Sequence, residues 1–258
     1  MPPMLMPSLR MPSWGLPGTG ARKTRLLALL AVRDGMRFLP GFLRNVAPQV
    51  DGIVALDDGS SDDSPELLAR HASVIELLRN PRNRPAWDEV GNHRLLLAAA
   101  LRHRAQWVVC VDADERLERD FRTRAERVIA RGRLLGYSAY AVRLRELWDD
   151  PGQFRVDGIW GRKSVARLFR ARPDHEFDPA PLHGSKAPQQ GRRRGRFPKA
   201  DLTIYHLGML HAEDRAARRR RYELADPDRR WQAIGYEYLT DLRNLQLQPV
   251  DERRSFIG

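Results

Sequence analysis

Four short apolar runs dominate the first half of the chain: Leu26–Val32, Ile53–Leu56, Val74–Leu78 and Trp107–Val111. Segments of helical spacing or helix-start chemistry separate them. Phe38, Leu39, Phe42, Leu43 and Val46 recur at one helical face; Ser and Asp residues before Pro65 make a helix start; Asn92–His103 puts Leu95, Leu96, Ala99 and Ala100 together. Continuous apolar runs are strands buried on both faces. Strands alternating with helices predict an α/β fold with a mostly parallel central sheet flanked by helices.

The pattern changes near residue 135. Glu118–Arg131 reads as a helix, followed by strands at Tyr137–Trp148, Ser164–Arg170 and Leu202–His206 and helices at His211–Leu224 and Arg230–Leu245. The loops between them are rich in Gly, Pro, His and Asp, so this half is expected to be irregular. Residues 1–24 have no periodicity and read as a flexible leader, and Asn80–Trp87 reads as a loop. The 258 residues suit one large α/β domain or two small ones, and 42% hydrophobic content supports a core.

Three strands of the first half end in polar clusters: Arg33-Asp34, Asp57-Asp58-Gly59-Ser60 and Asp112-Ala113-Asp114. Ligands of open α/β sheets bind outside the carboxyl ends of the strands. Asp112 and Asp114, two apart in extended chain, leave their strand on the same side. Such a pair repels unless a cation lies between, and a hard divalent ion suits it. The plainer alternative is a solvated acidic turn. Acids at these ends favour a base or ribose by hydrogen bonds and phosphates through a metal. No GxGxxG follows the first strand and no GxxxxGK[ST] occurs, which argues against dinucleotide and P-loop sites.

Val32-Arg33-Asp34-Gly35, Leu56-Asp57-Asp58-Gly59-Ser60-Ser61-Asp62, Gly91-Asn92-His93-Arg94 and Val111-Asp112-Ala113-Asp114-Glu115 stand in that order. Together they resemble the ordered motifs of family 2 glycosyltransferases of the GT-A fold, closest to bacterial members with a DADE-type metal motif. The resemblance covers residues 25–120 well and the remainder loosely. It implies one GT-A domain, with a nucleotide-sugar-binding half at 25–135 and an acceptor-binding half at 136–258. It implies that the backbone of Ala31, Val32 and Arg33 borders the nucleobase and that Asp58 holds the base or ribose. Arg94, with Asn92, would face the donor diphosphate. Asp112 would contact ribose or a metal-bound water, and Asp114 would ligate Mn²⁺ or Mg²⁺. His206, closing an apolar strand, looks like a third metal ligand, with His211 its competitor and a core histidine the plainer reading.

Relatives are usually inverting and need a carboxylate base on the acceptor side. Asp157, Glu176 and Asp178 are the candidates; the alternative is that each pairs with an arginine. Two departures stand out. Many relatives have Asn-Glu where this chain has Asp34-Gly35, and Gly184 follows His183 where some have an acid. Trp148, Trp160 and Tyr205 are either stacking platforms for a sugar or base, or core.

The net charge is +12, and nearly all of it is arginine; lysine occurs only at 23, 163, 186 and 199. Arg192–Arg196 and Arg215–Arg221 are either solvated faces or contacts for an anionic membrane, a lipid-diphosphate acceptor or nucleic acid, the last the least expected. One cysteine, Cys110, excludes a disulfide framework within the chain and points to a reducing compartment. No apolar run reaches the roughly 18 residues of a membrane span. The expectation is a cytoplasmic enzyme, at most peripheral to the membrane, moving sugar from a nucleotide-diphosphate donor to a saccharide, lipid-linked or small-molecule acceptor. The rivals are a nucleotidyltransferase-like enzyme and a non-catalytic binding protein with an Arg-rich anion-binding surface.

Overall fold

The computed structural model describes residues 24–82, 88–178 and 184–257. Most of the expected leader, the end of the Asn80–Trp87 loop and Pro179–His183 lie outside the described residues. Strands β1 (Leu26–Val32), β2 (Ile53–Asp57), β3 (Val74–Arg79) and β4 (Trp107–Cys110) alternate with helices α1 (Leu39–Val46), α2 (Ser64–Arg70) and α3 (Glu89–Arg102). They pair in parallel, in the order β3-β2-β1-β4.

The apolar run of β1 feeds two cores at once. Leu26, Ala28, Leu30 and Val32 pack with Phe42, Leu43 and Val46 of α1 on one face. Leu27 and Leu29 pack with Leu96, Leu97, Ala99 and Ala100 of α3 on the other. Alternation sends successive side chains to opposite faces, so a strand covered on both sides admits no polar position. On α3 the inward residue is Leu97; Leu95, expected on that face, is 46% exposed.

Beyond β4 the chain makes β5 (Glu115–Leu117), α4 (Phe121–Leu134), β6 (Ala139–Trp148), β7 (Asp150–Arg155), β8 (Ser164–Arg170), β9 (Lys199–His206), α5 (Ala212–Ala225) and β10 (Leu247–Pro249). β8 joins β4 antiparallel and β6 joins β8 antiparallel. β9 runs parallel to β6 and antiparallel to β5, and its register places His206 opposite both Glu146 and Glu115. This pairing carries His206 to the end of β4.

Several expected boundaries move for identifiable reasons. α4 starts at Phe121 rather than Glu118, because the Glu118 carboxylate is engaged by the Thr203 amide at 3.1 Å and by Arg254, and Asp120 adopts a left-handed backbone at φ 60°. β7 falls in a stretch expected as loop, and β10 lies beyond the last expected helix; the hairpin of β6 and β7 turns at Asp149, φ 61°. The helix expected at Arg230–Leu245 does not form. The Asp226 carboxylate instead gathers the amides of Arg230, Trp231 and Gln232 and the Tyr236 hydroxyl, at 2.7 to 3.2 Å, and only a single 3₁₀ turn, Glu237–Leu239, follows. Trp148, Trp160 and Tyr205 are core: Trp148 and Trp160 meet edge to face at 5.7 Å, and Tyr205 lies 5.1 Å from Phe256. Among the described residues no helix is long and apolar enough to cross a membrane.

His93 of α3 is 6% exposed and stacks on Phe177 at 5.8 Å. Burial first, and the charge of Lys186 second, push its pKa down from 6.5 to about 3. A histidine kept neutral by the fold stabilises it fully above the unfolded pKa and loses that contribution as pH falls from 6.5 toward 3. Between pH 7.5 and pH 5 it should therefore remove about 2 kcal/mol of stability. Urea unfolding at both pH values should show the loss in the wild type and a loss smaller by that amount in His93→Phe, which keeps the stack. Parallel pH profiles would contradict this role.

Candidate active site

Asp112 and Asp114 follow β4 at the carboxyl end of the parallel strands. Asp112 is bound by Lys186, and Arg167 of β8 reaches it at 3.1 Å while holding Glu115 at 2.5 Å. Its amide donates to Glu115 at 2.9 Å. Burial works against the Asp112 charge, but Lys186 and Arg167 outweigh it and hold the carboxyl far below the usual range. Glu115, fully buried, is pushed up instead, with Arg167 opposing.

Asp114 turns to the other side. Its Oδ2 lies 3.0 Å from His206 Nε2 and 3.3 Å from Arg218 Nη2. The second ring nitrogen of His206 is bound by Glu146, which is fully buried on β6 and also holds Lys163. Burial would depress His206, yet Glu146 and then Asp114 carry its pKa up to about 9, so both ring nitrogens donate. Arg218 Nη2 is only 3.1 Å from His206 Nε2, which places two cations on one carboxylate oxygen.

These groups can meet because residue 208 is glycine. A Cβ there would strike Asp114 Oδ2 and lie 2.8 Å from His206 Nε2 and 2.9 Å from Arg218. Asp114 and His206, the latter once its Nε2 proton is displaced, could hold a divalent ion. Their 3.0 Å separation is that of adjacent ligands about an octahedral ion with bonds of about 2.1 Å. Glu146 behind the ring is the outer carboxylate that metal-bound histidines commonly have. Among the described residues no three Asp, Glu, His or Cys donors converge on one point. Water and substrate phosphates would complete the shell, as is usual for Mg²⁺. Asp112, expected as a further metal residue, is committed to Lys186 and Arg167.

A second cluster lies beyond β1 and β2. Asp58, 1% exposed, takes Arg33 Nη2 at 2.6 Å, and Arg33 Nε donates to the Asp58 carbonyl at 2.8 Å. Asn80 bridges Asp58 to Asn92, 2.9 Å away. The structure thus brings together Arg33, Asp58 and Asn92, beside the backbone of Ala31 and Val32. Arg94 does not join them. It is exposed on α3, two positions and so about 200° around the helix from the buried Asn92. Lys186 and Arg218 stand beside the acids instead.

Asp34 is a clamp. In a left-handed conformation at φ 52°, it accepts from the Ser61 amide at 2.7 Å and hydroxyl at 2.9 Å, tying the β1 and β2 loops. Gly35 is required by closeness, since a Cβ would lie 2.3 Å from Val32 Cγ2.

The three candidate bases separate. Asp157 is held by Arg155 at 2.8 and 2.9 Å and takes the Gln246 amide at 3.1 Å, so the arginine-pairing alternative applies to it. Glu176 is exposed, its amide bonded to Gln190. Asp178 is half-buried, 3.6 Å from Arg192, and follows Phe177, which is stacked on His93. The segment it begins ends at Lys186, on Asp112. His211 precedes α5 as its N-cap residue, and it is His206 that contacts Asp114 Oδ2.

Lys186, Lys163, Glu146, Arg167 and Arg218 were not anticipated. A usable signal existed for the lysines: in a chain with four, two stand at this site. The Arg215–Arg221 run is a solvated face only in part. Arg215 is buried on Trp148, 4.2 Å from the ring, and pairs with Asp149 at 2.8 Å, while Arg218, one turn on, enters the site. Arg220 and Arg221 are exposed.

The family model described as glycosyl transferase family 2 matches residues 37–177, more than half of the chain. The chain belongs to that family, and its α/β architecture is the GT-A arrangement that the motifs implied. It is 29% identical, over 246 residues, to uncharacterized proteins of Mycobacterium bovis and Mycobacterium tuberculosis; the match covers 91% of this chain. The chain spans about 60% of the length of these relatives. A TPR repeat-containing protein of Synechococcus elongatus is 29% identical over 164 residues, 64% of this chain and 36% of that protein. Crystal structures of S. aureus TarS 1–349, alone and with UDP-GlcNAc, are similar at TM-scores of 0.47 and 0.49. Identities are 12% and 11%, over 84% of this chain and 69% and 70% of theirs.

Gly208→Ala should cost about 1–3 kcal/mol, because the added methyl must displace the carboxylate, the imidazole or the guanidinium. Urea denaturation measures this. Wild-type stability in the variant would show that the three groups are not held together as described.

Proposed function

We propose that the chain is a glycosyltransferase that moves a sugar from a nucleoside-diphosphate donor to a hydroxyl of a saccharide, lipid-linked or small-molecule acceptor, with inversion. The observation that carries this reading is the Asp114–His206 pair backed by Glu146, beside the Arg33–Asp58–Asn80–Asn92 network, at the carboxyl ends of parallel strands. The network offers a buried carboxylate and two amides to the base and ribose. Asp114 and His206 would hold Mn²⁺ or Mg²⁺, which when bound supplies positive charge to the diphosphate leaving group.

The chain's own groups do the rest. Lys186 and Arg218 stand within reach of the leaving diphosphate and favour the charge that builds there. Lys163 and Glu146 keep the His206 ring oriented. Asp112, fixed by Lys186 and Arg167, faces the ribose. Asp178 takes the acceptor proton as the acceptor oxygen bonds to the sugar carbon and the bond from that carbon to the diphosphate oxygen breaks.

A thermal-shift panel with UDP, GDP, dTDP and CMP, with and without Mn²⁺, tests the donor site. Saturation at 100 times Kd adds about 2.7 kcal/mol to stability. One nucleotide should stabilise the wild type in a metal-dependent manner, and Asp114→Ala should abolish the shift. Silence with every nucleotide would end the active-transferase reading. Turnover with a sugar donor should fall at least a hundredfold in Asp178→Asn, as for a lost general base, while nucleotide binding persists; unchanged turnover would remove Asp178 from the mechanism.

A further inference from the structure

The end of α4 leaves two leucines in water. The inward residues of this helix, Phe121, Ala125, Ile129 and Gly132, are buried. Leu134 stands two positions beyond Gly132, about 200° around the helix, and is 89% exposed. Leu135 beside it is 62% exposed. The helix stops because Gly136, at φ 66°, lets the Tyr137 amide return to the Gly132 carbonyl at 2.9 Å and its own amide to that of Arg133 at 3.3 Å. Gly132 fixes this end against β6: a Cβ there would strike the Tyr140 hydroxyl, which donates to the Val128 carbonyl at 3.1 Å. The leucines are therefore held outward by a firmly packed helix end.

A basic hairpin leans on the same place. Arg193 and Arg196 exchange backbone hydrogen bonds at 2.7 and 3.1 Å around Arg194 and Gly195, whose φ angles are 50° and 77°. Both central residues of this two-residue turn are left-handed, where asparagine, aspartate or glycine is the usual first residue. The Arg193 guanidinium donates to the Gly136 carbonyl. Arg131 and Arg133 of α4 and Arg193, Arg194 and Arg196 of the hairpin are exposed and make no ion pair among the described residues. Residues 127–136 and 192–200 contain no acid. The flanking acids are engaged: Glu126 by Arg122 at 2.7 Å, Asp201 by Arg254 at 2.8 Å and by Arg143, and Asp178 by Arg192 at 3.6 Å. Arg192 is therefore not counted with the others. Arg131 and Arg133 also suit the negative end of a helix. That accounts for neither the leucines nor the hairpin arginines.

We propose that this patch docks the protein on an anionic lipid surface. The two leucines enter the boundary between headgroups and acyl chains, while the guanidiniums around them meet lipid phosphates and stay hydrated. A nucleic acid would use the arginines and leave the leucines in water; a neutral lipid surface would use the leucines alone. The register places Ala139 level with Phe169 and Phe169 level with Val108, so the patch lies toward the amino end of β4. The Asp112–Asp114 turn follows its carboxyl end. Patch and site therefore occupy opposite ends of the sheet, and the docking does not depend on the transferase reading.

The test is sedimentation of the full chain with vesicles of phosphatidylcholine alone and of phosphatidylcholine with phosphatidylglycerol, repeated in high salt and with a homopolymeric RNA as competitor. The wild type should bind the anionic vesicles about tenfold or more tighter than the neutral ones and be released from them by salt. Leu134→Ser combined with Leu135→Ser should weaken binding about tenfold or more. Arg194→Asn combined with Arg196→Gln should weaken it about fivefold for each charge removed. All four positions are exposed and asparagine suits a left-handed turn, so both variants should melt at the wild-type temperature. Equal binding to neutral and anionic vesicles, no binding to either, or a leucine variant that binds like the wild type overturns the proposal. So does RNA that displaces the vesicles and binds the wild type and the leucine variant alike, the mark of a nucleic-acid surface.

Discussion

Four carboxylates crowd the end of the central strand: Asp112, Asp114, Glu115 and Glu146. They are tolerable only because Arg167, Lys186, His206, Arg218 and Lys163 are threaded between them. Each ion taken from water costs several kcal/mol, and this is recovered only when geometry and hydrogen bonding are complete. The partners come from different parts of the chain: β4, β6, β8, β9, α5 and the segment at Lys186. The second half of the protein is therefore needed to keep the acidic motif of the first half folded. Such a cluster is tuned by placement. Burial raises Glu115 while Lys186 and Arg167 lower Asp112, although the two carboxylates share the same arginine.

What could be read from the sequence follows how local the cause is. β1 to β4 and α1 to α3 were legible because both faces of each strand are covered and the helices carry their own periodicity. Asp58, Asp112 and Asp114 were legible as acids at strand ends. Lys186, Arg167 and Arg218 were not, because only the antiparallel return of β8 and the docking of α5 bring them within reach of residues 55 to 104 positions away. Nothing within the expected strand Tyr137–Trp148 singled out Glu146; its pairing with His206 of β9 makes it a site residue. The failed helix at Arg230–Leu245 has the same origin. Its periodicity was present, but Asp226 offers the backbone amides a stronger local partner than the next helical turn would.

Glycines 35, 41 and 208 link packing to chemistry. Each sits where another group passes too close for a Cβ: Val32 at Gly35, Arg116 at Gly41, and the Asp114–His206–Arg218 junction at Gly208. None has the positive φ that would by itself call for glycine. Their common effect is to let α1 and the segment after β9 close on the Asp112–Asp114 turn from both sides. The Gly35 departure from the related motif is thus a change of packing at the loop, with Asp34 taking over the tie between the two strand ends.

Arg218 and Arg116 show how charge is partitioned around that turn. Arg218 shares one oxygen of Asp114 with a protonated imidazole, a crowded position that a divalent ion could enter only in exchange for the imidazole proton. Arg116, on the other side, donates to the carbonyls of Ala113, Glu115 and Phe38 and feels the Asp114 charge through space. Cationic side chains therefore hold the turn from both sides, Arg218 at the Asp114 carboxylate and Arg116 at the Ala113 carbonyl.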